Sequence, residues 1–408
     1  MNRSYENTSR IAAVLLAVLA VLAVLAAPAP SHAAAGFTIN DPRGDDFGSG
    51  DLVYPNRQDL DRGSLDIERF EARAKNNGTW FNVRLGRKIP DPKGQLTYIG
   101  KEPLEKLARY GFYTFNIDIY VDTDRIGGSG RVDTVPGRKV TVASEDAWEK
   151  AIILTPRPEV ARAYYAMHLE REREKQIQEE KGRIDKADVE QAKKEIELQL
   201  RKQFFFPRQI SVRGREIRFF VPDSFLGEAA REDWGYSVMV TGCEVEQLSK
   251  VVEVTPGEFN LMVIPAARGR HRDRFGIIND SDPNQAPIVD LLAPSVADQQ
   301  RILTDYDTRY DRLAAVPAIS PSGKPSEAGQ VANVPARKTV PGSTGGFSGR
   351  MPGAGTVQPA PVMPATEENG ERRRTIPARL KTLNTLRDDG LISESEYQAL
   401  RRKILSEI

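Results

Sequence analysis

The stretch YTFNIDIYVDTD, residues 113–124, alternates apolar and polar side chains almost without a break. Phe115, Ile117, Ile119 and Val121 fall on one side, and Asn116, Asp118, Tyr120 and Asp122 on the other. A period of two is the side-chain period of a strand and does not fit an amphipathic helix, whose apolar positions recur roughly every three to four residues. LDIERFEARAKNNGTWFNVRLG reads as two further strands around an Asn-Asn-Gly turn, with Phe81, Val83 and Leu85 sharing a face. RKVTVA, AIILT, EIRFFVP, YSVMVTG and FNLMVI add more strands. Many strands with turn residues between them predict a mainly β chain folded as an antiparallel β-sandwich.

Residues 158–203 break the β series. Val160, Tyr164 and Met167 lie at helical spacing, Gly182 is a C-terminal stop, and Asp185 caps a second helix carrying Val189, Ala192, Ile196 and Leu200. The pattern predicts a charged α-helical hairpin inserted into the sandwich of residues 34–318. Its two readings are a solvated decoration held by charge pairs and a partner-docking arm. Residues 319–374 turn to Pro, Gly, Ala, Ser and Thr, a composition that cannot offset chain entropy by burial. They are expected to form a disordered tether spanning roughly 40 Å. Residues 375–408 return to helical signals. Leu380, Leu383 and Leu386 make a stripe ended by Gly390, and Ser393 with Glu396 caps a helix bearing Tyr397, Leu400 and Ile404. Two helices of this size cannot bury a core alone, so self-association or docking is expected.

At the other end, Arg3 and Arg10 precede the apolar run Ile11 to Ala27, and small residues follow up to Ala33. As a helix the run spans roughly 26 Å, short of the ~30 Å hydrocarbon core. Residues 1–33 are therefore expected to be a cleaved signal peptide, placing the protein in the periplasm or outside the cell with no stable transmembrane segment. With 58 basic and 57 acidic residues, the balance argues against bulk attraction to nucleic acid or an acidic membrane surface and leaves local patches open. Cys243 is the sole cysteine, expected to be buried and inert. Only His32, His168 and His271 are available, so Cys/His zinc sites and His-based triads are poorly supplied. Haem would need axial Met or His; with His168 in the charged hairpin, Met239, Met262 and His271 are the options, and support is weak. No nucleophile elbow, phosphate loop or zinc helix motif occurs, and the chain is expected to be no enzyme.

The blocks DPRGDDFGSGDLVYP, GSLDIERFEA, SEDAWEKAI, RFFVPDSFLG, WGYSVMV and PIVDLLAPSVADQQRILTDYDTRYDRLAAVPA occur in the order seen in the C-terminal module of glucodextranase. Over residues 37–318 the chain resembles that SLH-like, DOMON-like module, which is related to family-nine carbohydrate-binding modules. LRDDGLISESEYQALRRKIL resembles the core of the SHOCT domain, a short helical hairpin that implies oligomerisation or docking. The first resemblance implies a polysaccharide or cell-envelope glycan as partner. Glycosidase activity would belong to a catalytic barrel that this sequence lacks. The residues 268–285, RGRHRDRFGIINDSDPNQ, depart from the module's glycine-rich approach to VDLLAP.

Asp41, Asp45 and Asp46 crowd one turn, and a bound Ca²⁺ would reverse their repulsion. The related modules commonly carry structural calcium near such a segment. Asp118, Asp122 and Asp124 form a second candidate set, and Asp280, Asp282 and Asn284 a weaker third. Solvated turn carboxylates are the alternative for each set. Sugar binding needs exposed aromatic faces beside polar groups. Tyr54, Trp80, Phe112 and Tyr120 are the candidates, whereas Trp148 and Trp234 read as core. The basic run Arg268, Arg270, Arg272 and Arg274, diluted by Asp273, reads as a solvated loop. These observations lead to an exported, non-catalytic, calcium-stabilised carbohydrate-binding protein. The alternative is an envelope scaffold or adaptor acting through its helical arms without sugar binding.

Overall fold

The computed structural model describes residues 36–95, 98–99, 102–243, 261–271, 274–278 and 284–327, together with residues 397, 398 and 401. The expected signal peptide lies outside them, as do Asp280, Asp282, Arg272, most of the expected tether and nearly all of the C-terminal hairpin. Strands β1 (Gly36–Asn40), β2 (Leu52–Val53), β3 (Ile67–Ala74), β4 (Gly78–Leu85), β5 (Phe115–Asp122), β6 (Val140–Val142) and β7 (Lys150–Leu154) precede helices α1 (Pro158–Lys181) and α2 (Lys186–Gln203). Strands β8 (Phe204–Phe205), β9 (Ile210–Arg213), β10 (Glu216–Pro222), β11 (Gly235–Gly242), β12 (Ala266–Arg268), β13 (Phe275–Ile277) and β14 (Ile288–Leu291) follow, then helix α3 (Val296–Thr304) and strand β15 (Ala314–Val316).

The Asn-Asn-Gly segment makes the expected hairpin. Asn76 and Asn77 take φ of 40° and 52°, which asparagine tolerates and a two-residue hairpin turn requires. Lys75 N then donates to Gly78 O at 2.9 Å. Gly78 has a separate reason to be glycine, because a Cβ there would lie 2.2 Å from the Phe220 ring. From this hairpin grows a fully antiparallel sheet in the order β1-β3-β4-β10-β9. The second sheet runs β8-β7-β5-β11-β14 and is antiparallel except at its β8–β7 edge.

Phe70, Phe81, Val83 and Phe219 of the first sheet meet Ile117, Ile119, Val238 and Val289 of the second in one core. The opposite face of the second sheet is covered as well. There Tyr120, Ile153, Met239 and Ile288 pack with Val160, Tyr164 and Tyr165 of α1, Ile196 and Leu200 of α2, and Leu303 of α3. All residues of β5 and β11 are consequently buried. Each large apolar side chain placed this way contributes about 1.5–3 kcal/mol.

The inserted arm follows its sequence signals. Gly182 ends α1 in the left-handed region at φ 71°. Asp185 caps α2 by accepting from Asp188 N at 2.9 Å, and Asp188 returns a bond to Asp185 N. Beyond the base, Ile177 and Ala192 are the other buried apolar residues of the two helices. Arg162–Glu197, Arg173–Glu195 and Lys181–Asp188 pair along the arm.

Two expectations change. FNLMVI does not form the strand predicted over its described residues 261–264: a single bridge joins Val263 to Cys243, and Met262 turns to φ 54°. The first residues of the expected tether pair with the sandwich. Ile319 exchanges hydrogen bonds with Tyr236, Ser322 N donates to Glu232 O, and Glu327 bridges Ile126. Among the described residues no helix is long and apolar enough to cross a membrane.

Candidate cation cluster and adjoining groove

The loop after β1 is drawn against β14 by Gly48. Its N–H donates to Val289 O at 2.9 Å. It takes φ of 60°, and a Cβ there would approach Ile288 O to 2.7 Å, so a glycine is needed for this contact. The approach brings Asp41 and Asp45 against Asp290 of β14, with carboxylate oxygens of all three within 4.8 Å of one another. Asp46 and Asp66, the latter just before β3, complete the acidic cluster, and all of these residues are buried. Gln299 of α3 braces it, accepting from Leu291 N at 2.8 Å and donating to Asp45 O at 2.6 Å.

The hydrogen bonding is incomplete in a specific way. Asp41 accepts from Ala293 N at 2.9 Å, Asp66 from Gly44 N at 3.0 Å, and Asp290 from Ile67 N and Leu291 N. Asp46 Oδ2 accepts from Gly63 N and from the Tyr54 hydroxyl. Asp41 Oδ2, both oxygens of Asp45, and Asp46 Oδ1 are buried with no partner. Among the described residues no salt bridge reaches this cluster. Burial first, and repulsion among the aspartates second, push Asp41 up to about 9 and hold Asp290 well above the usual carboxylate range. The same causes raise Asp45 to about 6 and Asp66 to about 7. Carboxylates about 5 Å apart repel by roughly 3 kcal/mol at an effective dielectric of 20. A buried set of hard oxygen donors with unused lone pairs fits a hard cation such as Ca²⁺ and does not suit soft metals.

The second expected set is divided. Asp118 lies apart from Asp122 and Asp124: it forms a buried ion pair with Arg138, whose Nε and Nη2 donate at 2.5 and 3.0 Å. Arg138 also donates to Leu261 O at 2.5 Å. The guanidinium neutralises Asp118 and leaves no reason for a metal there. Asp122 and Asp124 do come together, joined by Glu149. Each of the three carboxylates already accepts hydrogen bonds. Asp122 accepts from Arg125 N and Nη1, Asp124 from Ile126 N and Ser129, and Glu149 from Thr123 and Ser129. Asn284, the one described member of the third set, donates to Arg312 O at 3.5 Å.

The aromatic candidates separate just as clearly. Phe112 is fully buried against Phe115, with ring centroids 5.0 Å apart. Tyr120 is also buried, its ring tilted against Trp148 at 5.3 Å and its hydroxyl accepting from Val135 N at 2.9 Å. Both are corrections: the face of β5 that carries Tyr120 is covered by the helical layer, and neither ring is open to a sugar. Trp148 and Trp234 are core, as expected, and so is Cys243. Met239 and Met262 are buried in the same layer, and His168 lies beside Tyr165 on the arm. Trp80 is half-buried on the outer face of the first sheet, 5.5 Å from Phe220.

Tyr54 lines an open groove of about 910 Å³. Its hydroxyl holds Asp46, and its ring meets Phe275 edge-on at 5.3 Å. Phe47, Asn56, Arg62, Arg270 and His271 line the same groove. Sequence reasoning missed Asp66, Asp290, Phe47 and Arg62. A faint signal for Asp290 existed, since IVDLLA places one carboxylate inside an otherwise apolar strand.

Comparison with known proteins assigns the surrounding fold. Residues 37–318 match the family of the C-terminal, SLH-like binding module of glucodextranase. Residues 378–405 match SHOCT, a short C-terminal domain. No curated protein gave a significant match.

Proposed function

Because the chain belongs to the family of the C-terminal binding module of glucodextranase, we propose that it is an exported, non-catalytic carbohydrate-binding protein whose sandwich is fixed by calcium. One observation carries this reading: the groove floored by Tyr54 is bonded directly to the acidic cluster through Asp46. Asp41, Asp45, Asp46, Asp66 and Asp290 would hold the cation, whose contribution is to neutralise their charge and tie the opening loop to β14. Tyr54 and Phe47 would offer apolar faces to a pyranose, and Asn56 a hydrogen-bonding side chain. Export is supported by the N-terminal apolar run and by the kind of module the chain contains.

The C-terminal hairpin is proposed as a docking element. Tyr397 belongs to the core that includes the base of the arm, with Met167 and Tyr306 packed against that core, which supports docking on the chain's own sandwich. A polysaccharide array probed with the full chain in calcium, and again in EDTA, tests the reading. Calcium-dependent retention on at least one envelope or plant glycan is expected, and absence of retention on every glycan in both buffers contradicts it.

A further inference from the structure

The groove beside Tyr54 carries a basic charge pattern at its margin. Arg62 lies over the Phe47 ring, its guanidinium carbon 5.1 Å from the centroid, and Nη2 donates to Gly44 O at 3.2 Å. Arg270 is an exposed member of the lining and, among the described residues, makes no ion pair. His271 stands next to it, with its ring nitrogen 2.8 Å from Arg268 O. The walls are joined by Asn56 N donating to His271 O at 3.0 Å.

The acidic residues of the lining are already committed. Asp61 is paired with Arg87 at 3.1 Å. Asp46 is turned away into the cluster by Gly63 N and Tyr54. What the groove offers a ligand is therefore two aromatic surfaces with two guanidinium groups and an imidazole at their margin. A neutral sugar would use the aromatic floor and leave the arginines in water. A sugar bearing an oxyanion would use both, because guanidinium bonds to a carboxylate or phosphate are roughly twice as strong as neutral ones.

We propose that this groove binds an acidic saccharide unit, a pyranose carrying a carboxylate or a phosphate ester, with the ring on Tyr54 and Phe47 and the oxyanion met by Arg62 and Arg270. The proposal rests on the carbohydrate-binding reading and narrows its ligand class. Tyr54 also links the groove to the cation cluster, so binding of such a ligand depends on the cluster being intact.

The test is titration calorimetry of the full chain in calcium with galacturonate tetramer, mannose 6-phosphate, maltotetraose and cellotetraose. At least one acidic probe is expected to bind about tenfold more tightly than either neutral one. Preference for the tetramer identifies a uronate source, and preference for the phosphorylated sugar a phosphate source. Arg62→Gln and Arg270→Gln should each weaken the acidic probe about tenfold, leave neutral binding unchanged, and reduce the salt dependence. Arg213→Gln, on an exposed strand of the first sheet, should change nothing. An unchanged calcium-induced rise in melting temperature shows that each variant is folded. Equal binding of neutral and acidic probes, or an Arg62→Gln/Arg270→Gln double variant that binds like the parent, overturns the acidic preference alone. If no saccharide of either kind binds, the carbohydrate reading falls with it.

Discussion

Asp45 shows how a single side chain can change sign with its surroundings. Both its oxygens are buried without partners, and Asp46 and Asp66 stand close enough to shape its titration. Without a cation, its charge opposes folding. With one, the same charge becomes a ligand. Asp45→Asn should therefore raise the melting temperature in EDTA at pH 8, by the few degrees that about 1–2 kcal/mol of relieved repulsion gives. It should also remove most of the stabilisation that calcium supplies to the parent, about 2.7 kcal/mol at a hundred times the dissociation constant. Melting curves in EDTA and in calcium settle it, and a loss of stability in both buffers counts against the cation site. Asp118→Asn supplies that contrasting pattern, since breaking its bond to buried Arg138 costs about 3–5 kcal/mol whether or not calcium is present. Asp41, Asp45 and Asp46 were legible because they crowd one glycine-rich turn. Asp66 and Asp290 were not. Asp290 joins them through a contact between Gly48 and β14, and no local pattern reports a pairing across so much chain.

The arm is the element whose sequence and structure agree most closely, because its boundaries are written in local chemistry. A glycine adopts the left-handed cap, an aspartate supplies the capping bond, and the apolar spacing marks the base. The strands were legible for the same reason. Which faces would be covered was not: Tyr120 sits on the polar side of an alternating strand, yet the arm and α3 cover that side too. Alternation identifies a strand without counting the layers above it. At the base of the arm, Glu159 accepts from Tyr110 at 2.7 Å and pairs with Arg109 and Arg208. Partial burial acts to raise it, but the Tyr110 hydrogen bond and the two arginines hold it below the usual carboxylate range. A depressed folded value means the stabilisation is present above the unfolded value of 4.5 and lost as pH falls through the folded one. Glu159→Gln should cost up to about 1 kcal/mol at pH 7, screened as partly exposed pairs are. Parent and variant should converge as pH falls below 4.5 and through the depressed folded value. Denaturation curves across that range check the sign, and a difference that grows on acidification contradicts it.

Across the whole molecule, the two cores have different dependence on distant chain. The core between the sheets closes within the sandwich, and the hydrogen bond from Gly48 N to Val289 O ties its opening loop to β14. The second core needs the arm, α3 and Tyr397, which is 7% exposed. A tyrosine buried there is worth about 1.5–3 kcal/mol, so the C-terminal residues contribute to the stability of a layer far from them in sequence. Two assemblies would give this burial: a hairpin docked on its own sandwich, and one exchanged between copies. They differ in how stability responds to concentration, since only exchange makes the melting temperature rise with protein concentration. The packing of Tyr397 with the base of the same chain's arm leads us to expect docking within one chain. Ending the chain after residue 327 should then lower the melting temperature by several degrees, independently of concentration, and Tyr397→Ala should reproduce most of that loss. Calcium and glycan binding should survive both changes, because every residue of the cluster and of the groove lies before residue 327 and none is Tyr397. Melting at protein concentrations a hundredfold apart, with sedimentation of the parent, decides the matter. A concentration-dependent midpoint and a sedimenting dimer would assign the hairpin to a second copy, and with it an avidity that a single docked chain does not have.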